Sequence, residues 1–406
     1  MKKKRRGDVI FLCQFFYPEY ISSAQLPFET AEALTQAGYK VGALCGYPKE
    51  YCDEKNIKDR EKYHDIYIQR IHYLQMERKS AIGRIVNSVS FIMAAMSKIC
   101  VLRHYRYVVV YSNPPMLPLV AVIGKKLFKT KIIFVSYDVY PEIDEKAGVI
   151  RHGGISYKIF KKINKLLFKN VDKVVAVSKD MKEFLESERN IEKDKVIAIP
   201  NWYADKGIAE KRQIDNAKFK EIPENAFVVS YLGNMGTCQD EETLLECIRK
   251  LKNERSIHFV FAGHGNKMEK IREIVQIEHL DHVHMYGFLK GKDYEDVLKL
   301  SDVFVVTLVK GMKGLCSPSK AYSCLMSGKP VLAVMDEGME LGEVIEETES
   351  GYQIEPGDVA NMKDMIYGLF SNSKLCEKLG QNARNVFVSK YTKEVCTKEY
   401  MKIFQK

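Results

Sequence analysis

The 406-residue chain has no CxxC pair and no Cys/His cluster at metal-ligand spacing. Its ten cysteines are scattered between Cys13 and Cys396. That pattern argues against a disulfide scaffold and a zinc site, and for free thiols in a reducing cytoplasm. No stretch reaches the ~18–20 clean apolar residues of a membrane-spanning helix. The nearest, Ile85–Leu102, carries Asn87, Lys98 and several serines. The GxGxxG and Walker A patterns are absent, as is any internal repeat or low-complexity tract. The opening MKKKRRGDVIFLCQFFYPEY imitates a secretory leader. Its apolar run is short, however, and ends in Tyr17-Pro18-Glu19 without a small-residue cleavage site, so a first buried strand fits better.

The length suits two domains of ordinary size, and an apolar content of 46% supports full cores. The net charge of +10 is unevenly placed: residues 1–200 hold 35 Lys+Arg against 22 Asp+Glu, and the remainder is slightly acidic. A basic first half suggests an anionic surface as partner, either nucleic acid or the cytoplasmic membrane leaflet. The lysines show no recognised nucleic-acid motif. Lys125, Lys126, Lys129 and Lys131, with the lysines of Lys158–Lys169, lie beside apolar side chains. Membrane-surface binding fits that pattern. A helix packed on a sheet with a solvated lysine face is the competing reading.

Apolar strands alternate with helical stretches from Val9 to Ile199, and again from Phe227 onward. The alternation predicts a parallel, doubly wound sheet in each half. Ser22 or Ser23 is expected to cap a helix running to about Ala37, and Ala81–Leu102 is expected to be one long helix. The polar, aperiodic segment Trp202–Asn225 reads as the linker. The expected division is residues 1–203, 204–385 and a terminal helix 386–406. The two sets of strand ends would face each other across a cleft.

The stretch KGLCSPSKAYSCLMSGKPVLAV, Lys313–Val334, joins a strand to a short helix and the next strand. A loop at a strand end, opening a helix, is where anions bind in open α/β sheets. Ser317, Ser319 and Lys320 add hydroxyls and a cation, which suggests diphosphate binding; a capped helix with a solvated lysine is the plainer alternative. Gly233–Gly236 and Gly263–Gly265 also follow strands, where glycine lets backbone N–H groups approach a phosphate. Asp138, at the end of the strand Lys131–Tyr137, could orient a substrate hydroxyl, or merely cap a turn. Glu343, Glu346 and Glu347 follow the strand Val331–Val334, where a carboxylate can bind a ribose diol, or line a solvated helix face.

With these residues in hand, the chain resembles the family 4 glycosyltransferases of GT-B fold. It looks closest to the bacterial O-antigen and capsule branch that includes fucosamine-type transferases. The segments carrying the resemblance are QFFYPEYISSAQLPFETAEAL, YDVYPE, VSKDM with IPNW, YLGNMGTCQD, FAGHGNK and PSKAYSCLMSGKPV, which span nearly the whole chain. The resemblance implies a retaining transfer from a nucleotide sugar, UDP-linked by preference, with no metal or other cofactor. The second domain would bind the donor and the first the acceptor, a polyprenyl-diphosphate-linked glycan at the inner face of the plasma membrane. It implies a cytoplasmic, peripheral enzyme of surface polysaccharide synthesis.

Carried over residue by residue, the resemblance places Gly233, Asn234 and Gly236 at the phosphate, and His264 and Gly265 near the nucleotide. Ser319 and Lys320 fall at the diphosphate, Glu343 or Glu347 at the ribose, and Asp138 at the reacting centre beside Lys320. Tyr17, Ser22, Ser23 and Tyr137 fall on the acceptor side. The chain departs from the family at Tyr137, where many members carry histidine. It also lacks the Arg…Lys pair of the first donor loop. The EX7E glutamates fall at Leu315 and Ser323. Two other functions compete: a nucleotide-sugar 2-epimerase, and a membrane-bound accessory subunit that has lost activity.

Overall fold

The computed structural model describes residues 7–49, 51–76, 81–207 and 214–404. Two twisted sheets organise it. The first holds β1 (Val9–Cys13), β2 (Val41–Gly46), β3 (Arg60–Tyr63), β4 (Ile66–Ile71), β5 (Tyr107–Tyr111), β6 (Lys131–Ser136), β7 (Lys173–Ala176) and β8 (Val196–Ala198), in the order β3-β4-β2-β1-β5-β6-β7-β8. The second holds β9 (Phe227–Asn234), β10 (Ile257–His264), β11 (Val283–Tyr286), β12 (Val303–Thr307), β13 (Val331–Val334) and β14 (Gly351–Ile354), in the order β11-β10-β9-β12-β13-β14. All pairings are parallel except β3 with β4. Most central strands are buried along their length, as sheets covered by helices on both faces require. Both orders reverse beside the first strand of the domain, between β1 and β5 and between β9 and β12. Such a switch opens a crevice at the strand carboxyl ends.

The expected pair of doubly wound domains is therefore present, with local corrections. The polar strand β3 carries no apolar alternation and forms only as the antiparallel partner of β4. Helix Ser22–Gln36 is entered from Ile21, and neither Ser22 nor Ser23 acts as its cap. The long helix stops at Ser97, and Ile99–His104 turns as a 3-10 helix. That turn buries Leu102, and a Cβ added at Gly124 would meet Leu102 Cδ1 at 2.6 Å.

The two domains touch along a continuous apolar seam. Val139, Ile143 and Met181 of the first pack in one cluster with Met312, Leu315 and Tyr322 of the second. The last helix, Lys393–Ile403, lies against Ser22–Gln36 of the first domain. Lys393 pairs with Glu32 at its start, and Tyr39 Oη donates to the carbonyl of the buried Phe404 at 2.9 Å just beyond it.

Candidate active site

At the end of β9 the chain turns through Gly233-Asn234-Met235-Gly236, and at the end of β10 through Gly263-His264-Gly265. The two turns are locked together. Met235 N donates to His264 O at 2.7 Å, and Lys267 N donates to Met235 O at 3.1 Å. Gly263 has φ +155°, and a Cβ there would stand 1.8 Å from Gly233 O. Gly265, at φ +145°, would place one 2.1 Å from Met235 O. No side chain fits between these backbones. Gly263→Ala is accordingly expected to cost about 2 kcal/mol or more by forcing the turns apart. A fall in the urea midpoint at unchanged slope would check it.

Lys320 reaches over this platform from the far side of the switch point. Its Nζ donates to Tyr231 Oη at 2.7 Å and lies 3.4 Å from Asn234 O. It also stands 3.9 Å from the Tyr231 ring centroid. A Cβ on Gly233 would touch the Lys320 stem. Burial drives its pKa down to about 8, against the opposing attraction of Glu241. Glu241 itself is paired with Lys267 at 2.8 Å. Lys320 thus has an ion-pair partner only at second hand, and its cation rests on a phenol oxygen, a peptide carbonyl and an aromatic face beside Gly233.

Ser319 sits at the capping position of Lys320–Met326 but makes no side-chain capping bond. The amides of Ala321 and Tyr322 already donate to Pro318 O and Ser319 O. The short helix therefore offers fewer free N–H groups than its sequence suggests, and the lysine side chain is the main positive element. Asn234 and His264 are exposed at the rim. Gln239 Oε1 accepts from Asn234 Nδ2 at 3.2 Å and from Gly236 N at 3.1 Å, closing the turn.

The first domain presents Asp138 to this platform. The Asp138 backbone forms an antiparallel bridge with Cys316, and Val139 N donates to Leu315 O at 2.8 Å. Burial, then the Asp138 charge, raises the Cys238 thiol to about 11, so the carboxylate stands near the loop after Gly236 as well. Burial, reinforced by Asp144, lifts Asp138 to about 6. The structure therefore sets Asp138 beside the loop that leads into Lys320 and near the loop after Gly236, between the domains.

The other residues singled out by sequence are more dispersed. Tyr137 is half-buried, with its amide on Ser112 Oγ at 3.0 Å and its ring 5.2 Å from Tyr111. Tyr17 stacks on Tyr63 at 4.0 Å and donates to Glu54 at 3.2 Å, within a rim of aromatic side chains. Ser22 is exposed at the start of its helix, and Ser23 is partly covered. Glu343 and Glu347 lie exposed on Glu340–Glu347. Among the described residues no hydrogen bond joins either to the Lys320 platform.

Several organising residues were invisible in the sequence. Asp180 accepts from Gly314 N at 2.8 Å and Glu340 N at 3.2 Å, so one carboxylate of the first domain holds two loops of the second. Glu340 returns the contact by accepting from Lys179 N at 2.6 Å. Asp336 gathers the amides of Gly311, Met312 and Lys313 at 2.7–3.2 Å. At the opposite edge Tyr20 stacks on Phe288 at 6.0 Å, and Lys290 pairs with Asp53 at 2.6 Å. The VSKDM segment contained Asp180, but nothing local marks a carboxylate whose partners lie more than a hundred residues away.

Comparison with known proteins agrees with this fold. The family profile "Glycosyl transferase 4-like domain" matches residues 28–202, and "Glycosyl transferases group 1" matches residues 213–386. A probable glycosyltransferase of Pseudomonas aeruginosa, WbjE, is 28% identical over 295 residues, covering 71% of this chain and 72% of that one. Sucrose-phosphate synthase from Thermosynechococcus elongatus superposes with a TM-score of 0.76 at 15% identity, over 98% of each chain. Anabaena Alr3699/HepE, solved with UDP, gives 0.69 at 13% identity, over 98% of this chain and 99% of that one. These matches favour neither a 2-epimerase nor an inactive subunit. Two facing doubly wound domains, a glycine-and-lysine platform between them and matches to glycosyltransferases over both halves lead to one conclusion: this chain is a glycosyltransferase of GT-B architecture.

Proposed function

We propose that the enzyme transfers a sugar, with retention, from a UDP-linked donor to a polyprenyl-diphosphate-linked glycan, as a cytoplasmic, membrane-peripheral step in surface polysaccharide synthesis of the O-antigen or capsule kind. The observation carrying the donor half is Lys320 poised over the Gly233–Gly236 turn with no carboxylate directly on its Nζ. A diphosphate supplies the missing counter-charge. No metal is invoked: the leaving group's charge falls on Lys320 and backbone N–H groups. The UDP complex of Anabaena HepE supports the choice of nucleotide.

In this reading the anomeric carbon–phosphate oxygen bond breaks while the acceptor oxygen bonds to the same face of that carbon. The acceptor proton passes to the leaving diphosphate. Asp138 orients the acceptor hydroxyl, and Lys320 takes up the growing charge, so the protein works by positioning and electrostatic stabilisation. His264 and Asn234 border the nucleotide, and Glu343 or Glu347 would have to swing toward the ribose. Tyr17, Ser22, Ser23 and Tyr137 border the acceptor path.

Thermal melting with UDP, GDP, dTDP and CMP tests the reading. A ligand at a hundred times its Kd adds ~2.7 kcal/mol. UDP is expected to raise Tm and the others to do so weakly. No shift with any nucleotide would overturn the donor assignment.

A further inference from the structure

Three neighbouring helices cover one face of the first sheet: Ala81–Ser97, Pro118–Phe128 and Ile155–Asn170. None contains an aspartate or glutamate. Their outer side is apolar to an extent unusual for a surface. Ile82 is 70% exposed, Ile85 62%, Met93 68% and Ile155 81%. Ile82, Ile85, Val89 and Met93 recur at helical spacing, so they form a single ridge pointing away from the core. Lys126, Lys158, Lys162 and Lys165 are exposed on the two adjoining helices.

Acidic groups near this face are already engaged. Glu142 is held by Lys161 and Arg189, and Glu145 by His152. Asp144 is lifted to about 6 by burial, against the pull of Arg84. The face therefore combines an apolar ridge with cationic flanks.

Its position matters as much as its chemistry. In a strand–helix–strand unit each helix begins at the carboxyl end of the preceding strand, the end that lines the cleft. Ile82, Ile85, Ile155 and Ile159 belong to the first turns of their helices. Arg84 is close enough for its charge to reach Asp144, and Asp144 in turn raises Asp138. The ridge thus stands beside the mouth of the cleft that holds Asp138.

We propose that this face docks on an anionic lipid bilayer, with the Ile82–Met93 ridge at the headgroup–acyl boundary and the lysines on lipid phosphates. Docking sets the mouth of the cleft against the membrane. A lipid-linked acceptor then keeps its chain in the bilayer while its head group reaches Asp138; this consequence rests on the acceptor reading above. Self-association fits less well, because a twofold contact through the ridge would bring like-charged lysines together. Among the described residues no helix is long and apolar enough to cross a membrane, so the contact is interfacial.

The test is flotation of the full chain with phosphatidylcholine vesicles, with and without about one-third phosphatidylglycerol, at low and high salt, without nucleotide. Wild type is expected to float with the anionic vesicles and to be released by salt. Ile82→Glu/Ile85→Glu should lower partitioning at least ~10-fold, and Lys158→Gln/Lys162→Gln about 5-fold per lysine. Both variants should keep the wild-type Tm and nucleotide response, which separates this proposal from the donor assignment. Wild type left in the soluble fraction, or both variants floating like wild type, would overturn it. So would a dimer in sedimentation that Ile85→Glu dissolves while no vesicle binding is seen.

Discussion

Lys320→Ala is expected to lower kcat/KM at least ~100-fold, the scale of one lost charge-stabilising donor. The reason lies in how the lysine is held. Lys267 takes the nearby Glu241, while Lys320 has Tyr231 Oη and a peptide carbonyl. Such a cation is costly to keep without an anion, and burial has already brought it down to about 8. Nucleotide affinity should therefore fall as pH rises above about 8, because the free enzyme then sheds the proton the diphosphate needs. Ligand-free stability should move the other way. Between about 8 and the ordinary lysine value near 10.5 the unfolded chain holds a proton that the folded one has lost, so stability rises with pH. Both trends should vanish in Lys320→Met, which keeps the packed stem and removes the charge. Near-normal turnover in the alanine variant would remove Lys320 from the mechanism.

Asp138→Asn should lower kcat ~100-fold, the scale of a misplaced reacting group, while leaving the Kd for nucleotide within about threefold. Asp138 touches the second domain through its backbone, in the bridge to Cys316, and asparagine preserves that bridge. A role confined to the fold would therefore leave turnover intact. Burial puts the folded pKa at about 6. Wild-type kcat is thus expected to decline as pH falls through about 6, where Asp138 gains a proton, and that acidic limb should be absent from the asparagine variant. An unchanged limb would assign it to another group, with Asp144, also lifted to about 6, the first to examine.

Much of the frame was legible in the chain. β-strand and helix alternate with regular punctuation, and the fully buried strands read as unbroken apolar runs because helices cover both faces of each sheet. Gly233, Gly263 and Gly265 stood out because they follow strands, and at Gly263 and Gly265 two backbones do meet where no Cβ fits. Lys320 stood out because a cation follows a strand and a turn. The illegible parts share a cause. β3 is polar and exists through pairing with β4. Ser22 and Ser23 looked like caps, yet Ile21 holds the capping position with extended backbone and no side chain caps the helix. Glu343 and Glu347 lie exposed on their helix, and exposure alone does not distinguish a ribose ligand from a solvated face.

The sequence by itself determined the two-domain α/β plan, the positions of the loops at the strand ends and the residue types able to meet a diphosphate. These follow from local periodicity and from the steric needs of glycine turns, which neighbours in the chain suffice to express. Tertiary structure alone decided that Asp180 ties Gly314 to Glu340, that Glu241 pairs with Lys267 rather than with Lys320, and that the Ile82–Met93 ridge points outward. Which carboxylate neutralises which cation, and which face of a helix is covered, depends on elements brought together from distant parts of the chain. An apolar helix face reads the same in sequence whether it is buried or exposed.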